Sequence, residues 1–182
     1  MHPSVMTFLR EKIGGGEIQG LDVLEVGSQN VNGSPREVFK LHGPKRYVGV
    51  DFAHGKGVDL VMDVSDLTTY FGPESFDVVV STEMLEHAQS WRVSVDQMKD
   101  VLRPGGLLVL TARGPGFPYH GYPHDYWRFT IEDFREIFAD MKIEVLEKDE
   151  PEMPGVLLKA RKRFETGSID LSSITVQAAP RS

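Results

Sequence analysis

The feature that most constrains this chain is a recurring unit: a short, almost wholly apolar run that stops on a polar residue and leads through a loop into an amphipathic segment. Residues 21–26 form the first such run, closed by Gly27. Residues 35–41 then read as a helix, with Ser34 as N-cap, Pro35 at the first helical position and Gly43 just past its end. Further strands are expected at 46–50, ending at Asp51, at 59–62, ending at Asp63, and at 76–80, ending at Ser81. Val95, Met98, Val101 and Leu102 give 93–102 a helical period, Pro104-Gly105-Gly106 turns the chain, and 107–110 is the most hydrophobic run of all. Strands apolar on both faces are buried on both faces, so this alternation predicts a mostly parallel sheet covered by helices on each side.

The ends of the chain extend the pattern. Val5, Phe8 and Leu9 share one face of an opening helix at 4–13, and Thr130 caps a late helix at 131–138. The last two runs, 142–147 and 156–159, are joined by a short segment around Pro151 and Pro154. A parallel crossover needs a dozen residues or more, so these two strands are expected to pair as a hairpin.

At 182 residues and 40% hydrophobic content the chain is sized for one domain, placed at 1–165. Residues 166–182, rich in Ser, Thr, Gln and Ala, read as a flexible tail. The absence of cysteine excludes disulfides and thiolate zinc sites. A net charge of −7 disfavours a surface built to neutralise phosphates, so nucleic acid is not an expected partner. The one basic run, Lys159-Ala160-Arg161-Lys162-Arg163, reads as a solvated segment. No run approaches the ~20 apolar residues of a membrane span, and a soluble, cytoplasmic protein is expected.

In open parallel sheets ligands sit at the carboxyl ends of the strands, near the point where strand order reverses. Three acidic residues stand at such ends. Glu25 precedes Gly27-Ser28 and a polar loop running to Gly33-Ser34, where small residues and free N–H groups can hold a carboxylate. Asp51 can accept from ribose hydroxyls, with Phe52 beside it to pack on a purine. Asp63 can accept from an exocyclic amine while the Val64 backbone reads the ring edge. The first loop lacks the Gly-x-Gly-x-x-Gly of pyrophosphate sites and the Gly-Lys-Ser/Thr of triphosphatases. These residues in this order suit an adenosine without phosphates.

With Leu24-Glu25-Val26-Gly27-Ser28, Val48-Gly49-Val50-Asp51, Asp63, Phe76-Asp77-Val78-Val79-Val80-Ser81, Met84-Leu85-Glu86-His87 and Leu102-Arg103-Pro104-Gly105-Gly106, the chain resembles the class I S-adenosylmethionine-dependent methyltransferases from about residue 20 to residue 160. That resemblance implies a three-layer Rossmann-like α/β sandwich, its seven-stranded sheet ordered 3-2-1-4-5-7-6 with the last strand antiparallel, and S-adenosylmethionine as cofactor. It implies that Glu25, Gly27, Ser28 and Gly33 hold the donor's amino acid part, Asp51 and Phe52 the ribose and ring, and Asp63 and Val64 the adenine edge. Ser81 is counted with the donor residues, and Glu83 and His87 are placed near the methyl end. The chain departs from the family loop at Gln29 and Val31, where glycines are usual; Gly33 is the displaced glycine that restores flexibility.

Methyl transfer needs alignment and dryness, and a base only if the acceptor must lose a proton. Candidate bases are His120 and His124, in the loop that continues through Asp125, Tyr126, Trp127 and Arg128. Its aromatic residues, Tyr119, Tyr122, Tyr126 and Trp127, either wall the acceptor or pack the loop on the sheet, with Asp125 and Arg128 paired. His120, His124 and Asp125 show no consistent ligand geometry, and no metal is expected. The favoured acceptor is a small or sugar-like molecule methylated on O or N. Two other readings stay open: a donor-binding protein without turnover, and a protein or nucleic-acid methyltransferase. Acceptor identity and oligomeric state are not legible.

Overall fold

A computed structural model describes residues 2–121, 123–165, 167 and 169–181. Its centre is a seven-stranded sheet made of β1 (Asp22–Val26), β2 (Arg46–Asp51), β3 (Leu60–Val61), β4 (Phe76–Thr82), β5 (Leu102–Arg113), β6 (Met141–Lys148) and β7 (Gly155–Lys162). The spatial order is 3-2-1-4-5-7-6, as expected. β1 to β5 run parallel, and β7 is antiparallel to both β5 and β6.

Two cores lie on opposite faces, and alternation along the strands assigns residues to them. Val23, Val78, Val80, Leu107 and Val109 pack with Val5, Phe8 and Leu9 of α1 (Pro3–Lys12) and Val38 and Phe39 of α2 (Arg36–Leu41). Their neighbours Leu24, Val79, Leu108 and Leu110 face the other core, with Leu67 of α3 (Leu67–Phe71), Val95 and Met98 of α4 (Trp91–Val101) and Phe134 of α5 (Ile131–Ile137). Each fully buried aliphatic or aromatic side chain contributes roughly 1.5–3 kcal/mol of transfer free energy. α5 starts as its sequence predicts: Thr130 accepts from the Asp133 N–H at 3.1 Å, and the Asp133 carboxylate accepts from the Thr130 N–H at 2.7 Å.

β5 is longer than its apolar run. Leu102 pairs with Phe76 and Leu107 with Val78, so the intervening Arg103-Pro104-Gly105-Gly106 stretch bulges within the strand instead of separating it from α4. Gly105 has a φ of 76°, and a Cβ on Gly106 would lie 2.7 Å from the Arg103 carbonyl, which is why two glycines stand there.

The tail corrects its expectation over the described residues. Leu171, Ile174 and Val176 are buried, and Arg92 of α4 donates to the carbonyls of Leu171 at 2.8 Å and Ile174 at 2.5 Å. Gln177–Ala178 then pairs antiparallel with Trp127–Arg128. The basic run is also engaged: Lys159 and Arg161 both pair with Glu17 and Glu144, and Lys162 donates to the carbonyls of Lys99 and Leu102. Among the described residues no helix is long and apolar enough to cross a membrane.

Candidate functional site

A cavity of about 850 Å³ opens at the carboxyl ends of β1, β2 and β4, where the strand order reverses. Glu25, Gly27, Gly33, Asp51, Phe52, Asp63, Val64, Glu83, His87, His120 and His124 all line it. Ser28 and Ser81 do not. Both are buried, and Ser28 is turned toward β2, its Cβ filling the space a side chain on Gly49 would take.

The loop after β1 is built around Gly27. Its φ of 78° is left-handed, and a Cβ there would lie 2.6 Å from Cγ of Met84, so only glycine lets the two segments close. The Asn30 side chain accepts from the Gly33 N–H at 2.9 Å and tightens the turn that follows. The two departures from the family loop are accommodated differently. The Gln29 N–H donates to Asp51 Oδ2 at 3.0 Å while its side chain lies against Gly55, whose missing Cβ makes the room. Val31 is 70% exposed and lines the cavity.

Under this loop Glu25 is buried. Tyr47 donates to it at 2.8 Å and Ser34 at 3.1 Å, and the Arg36 guanidinium stands 3.8 Å away. Burial outweighs those partners and pushes its carboxyl up to about 7. Ser34 also accepts from the Arg36 N–H at 3.1 Å, so the same hydroxyl that meets Glu25 tethers the start of α2.

Asp51 holds the loop and still faces the cavity. Its Oδ1 accepts from the Ala53 N–H at 3.3 Å, in addition to the bond from Gln29. Phe52 is 58% exposed along the rim, an apolar ring with a free face. Asp63 caps the turn Val64–Asp66 by accepting from the Ser65 N–H at 2.8 Å.

The opposite end is formed by histidines. Trp127–Arg128 anchors the loop that carries them. Buried Arg128 makes a bidentate pair with Asp125, both contacts at 2.6 Å, and donates to the Phe117 and Pro118 carbonyls. Positive charge on Arg128, with the His120 N–H, holds the Asp125 carboxyl below its usual range although burial opposes this. Asp125 Oδ2 in turn lies 3.0 Å from His120 Nδ1. A carboxylate accepts only, so Nδ1 carries the proton in this pair and Nε2 is the ring nitrogen turned toward Glu86. His87 Nδ1 likewise donates to the His124 carbonyl at 2.6 Å.

Of the loop's aromatic residues, Tyr126 lines the cavity, whereas Trp127 donates its indole N–H to the Ala88 carbonyl at 3.0 Å and packs the loop down. Tyr122 lies outside the described residues. Sequence reasoning missed the support behind Glu83. That residue has a left-handed φ of 53°, its N–H donates to the Thr111 carbonyl at 3.0 Å, and its carboxylate pairs with buried Arg113, which also meets Asp149. A basic residue ending the longest apolar strand was the available signal.

Residues 24–110 match the family described as a methyltransferase domain, and they contain the loop after β1, Asp51, Asp63 and the segment after β4. Over this stretch, just under half of its length, the chain is similar to the S-adenosylmethionine-dependent methyltransferases. Solved structures agree at the level of fold. An S-adenosylmethionine-dependent methyltransferase from Mesorhizobium loti aligns with a TM-score of 0.67 and 17% identity, covering 87% of this chain and 98% of that one. The Burkholderia thailandensis 1,6-didemethyltoxoflavin-N1-methyltransferase, solved with its acceptor and S-adenosylhomocysteine, aligns at 0.69 and 17% over 89% and 77%. The cyclase SpnF aligns at 0.66 and 16% over 87% and 80%. A comparison with curated protein sequences finds no match. The class I methyltransferase sheet accounts for the cavity's location, since its strand reversal lies between β1 and β4.

Proposed function

We propose that this methyltransferase binds S-adenosylmethionine along the β1 and β2 edge of the cavity and transfers its methyl group to an oxygen or nitrogen of a small-molecule acceptor. The observation that carries the reading is one continuous cavity with a nucleoside-type end, Asp51, Phe52 and Asp63, and a histidine end, His87, His120 and His124. Ligand pockets run to about 300–1,000 Å³, so a cavity of about 850 Å³ has room for the donor and a small second molecule. Lys159, Arg161 and Lys162 have partners within the chain, so this basic run is not a free cationic surface for a polyanion.

Each side chain then has a role. The backbone from Gly27 to Gly33 holds the amino acid part of the donor, beside buried Glu25. Asp51 takes both ribose hydroxyls on lone pairs that its backbone partners leave available. Phe52 covers the purine, and Asp63 and the Val64 backbone read its amine edge. Ser28 and Ser81 act from behind the wall by packing. When bound, the donor supplies a methyl on a cationic sulfur: the carbon–sulfur bond breaks with its electron pair left on sulfur as an acceptor lone pair forms the new bond to carbon.

Glu83 and His87 border the methyl end, where alignment and exclusion of water lower the barrier. His120 and His124 stand on the acceptor side. The Nε2 lone pair of His120, fixed by Asp125, either takes the acceptor's proton or holds a cation that makes the proton acidic.

The test is transfer of label from methyl-labelled donor into a panel of phenols, carboxylates, amines and glycosides. Acceptor-dependent formation of S-adenosylhomocysteine supports the reading. Tight donor binding without turnover on any acceptor favours a donor-binding protein instead, and the fold permits that outcome because a cyclase shares it.

A further inference from the structure

Glu86 sits in the middle of the Leu85–His87 turn after β4 and is completely buried, at 0% exposure, yet neither carboxylate oxygen has a hydrogen-bond donor among the described residues. Burying an ionised carboxylate without partners costs several kcal/mol, so a side chain in this state calls for a cation. The groups nearest to it are imidazoles. His120 Nε2 lies 3.7 Å from Glu86 Oε1, and ligand atoms of Glu86, His87 and His120 all fall within 4.8 Å of one another.

The two histidines are already oriented as metal ligands are. A ligating histidine donates its other ring N–H to a carboxylate or a backbone carbonyl, which fixes the ring and frees the lone pair. His120 does so to Asp125, itself clamped by Arg128, and His87 does so to the His124 carbonyl. Their rings meet edge to face with centroids 4.8 Å apart.

We propose that Glu86, His87 and His120 bind one divalent first-row transition-metal ion. Two imidazoles and one carboxylate, with no thiolate, are the donor set of catalytic zinc and related ions that keep open coordination positions. Bond lengths of about 2.0–2.2 Å require the three groups to draw inward slightly on binding. His87 and His120 line the cavity while Glu86 lies behind them, so the open positions face the acceptor. This placement relative to the acceptor rests on the methyl-transfer reading; the ion site itself does not. There the ion would bind an acceptor oxygen and release its proton to solvent, leaving an oxyanion for methylation.

The full-length chain, stripped with chelator, is titrated calorimetrically with Zn²⁺ and Mn²⁺ and optically with Co²⁺. S-adenosylhomocysteine binding to the metal-free protein is measured in parallel. One ion per chain is expected, with a Co²⁺ absorption band that disappears in Glu86→Gln and in His120→Ala. Asp125→Asn, which removes the carboxylate that orients His120 and also its pair with Arg128, weakens binding about ten- to a hundredfold, with S-adenosylhomocysteine affinity as the control for folding. Exposed His54 lies outside the cavity, and His54→Ala retains binding. Retained S-adenosylhomocysteine affinity shows that the variants are folded. No uptake by the wild-type chain, or uptake unaffected by both Glu86→Gln and His120→Ala, overturns the proposal. Metal uptake without nucleoside binding upholds the ion site and removes the methyl-transfer reading.

Discussion

Asp51 Oδ2 accepts the backbone N–H of Gln29 at 3.0 Å, which ties the loop after β1 to the end of β2. The carboxylate assigned to the ribose therefore also sets the shape of the loop assigned to the donor's amino acid part. Donor affinity and loop order are coupled through one side chain.

Gly27 tests the other end of that loop. Gly27→Ala places a side chain at a φ of 78° and within 2.6 Å of Met84, so it is expected to cost about 1–3 kcal/mol and weaken donor binding. Denaturant titration and calorimetry with S-adenosylhomocysteine measure the two effects. Adding Met84→Ala relieves the contact but not the backbone strain, so rescue is partial.

Glu25 predicts a pH dependence with a definite sign. Burial raises its carboxyl from 4.5 to about 7, so the folded state prefers the protonated form. Its contribution is most favourable below 4.5, declines as pH rises through that window and is constant above about 7. Glu25→Gln is expected to flatten the dependence, gaining on the wild type by up to about 3 kcal/mol between pH 4.5 and 7.5. Parallel profiles for the two proteins in chemical denaturation would contradict this.

Arg128 holds the histidine loop from inside. Arg128→Ala leaves Asp125 buried without its cation and should destabilise the fold by about 3–5 kcal/mol. Asp125→Asn keeps the shape and one acceptor for Arg128, so it is expected to destabilise less than Arg128→Ala while retaining donor affinity and lowering methyl-transfer turnover through His120. A fall in donor affinity equal to the fall in turnover would count against that division of labour.

The tail supplies a fourth test. Residues 169–181 bury Leu171, Ile174 and Val176 and cover Arg92, so deleting them should lower stability by several kcal/mol and reduce the folded yield. Chemical denaturation of the full and shortened chains decides it; equal midpoints would show that this packing contributes nothing.

The sheet was legible because its strands are continuous apolar runs, and the cavity's position because Asp51 and Asp63, which line it, stand at or just past the ends of two of them. The tail was not. Leu171, Ile174 and Val176 are too sparse to show a period, and their burial depends on Arg92 in α4, far away in sequence. Glu86 was visible only as half of a Glu-His pair. Its burial, its lack of donors and the approach of His120 from a loop after β5 are products of tertiary packing. Ser28 and Ser81 are buried outside the cavity lining, because strand position gives a residue's height in the sheet but not the direction its short side chain takes at the end of the strand.

The central claim is the donor pocket, and calorimetric titration of the wild type and Asp51→Ala with S-adenosylhomocysteine tests it most directly. The account predicts saturable one-site binding by the wild type and a loss of about ten- to a hundredfold in the variant, the size of hydrogen bonds to a charged group. A folded wild type that binds neither S-adenosylhomocysteine nor S-adenosylmethionine, or a variant that binds equally well, would contradict it.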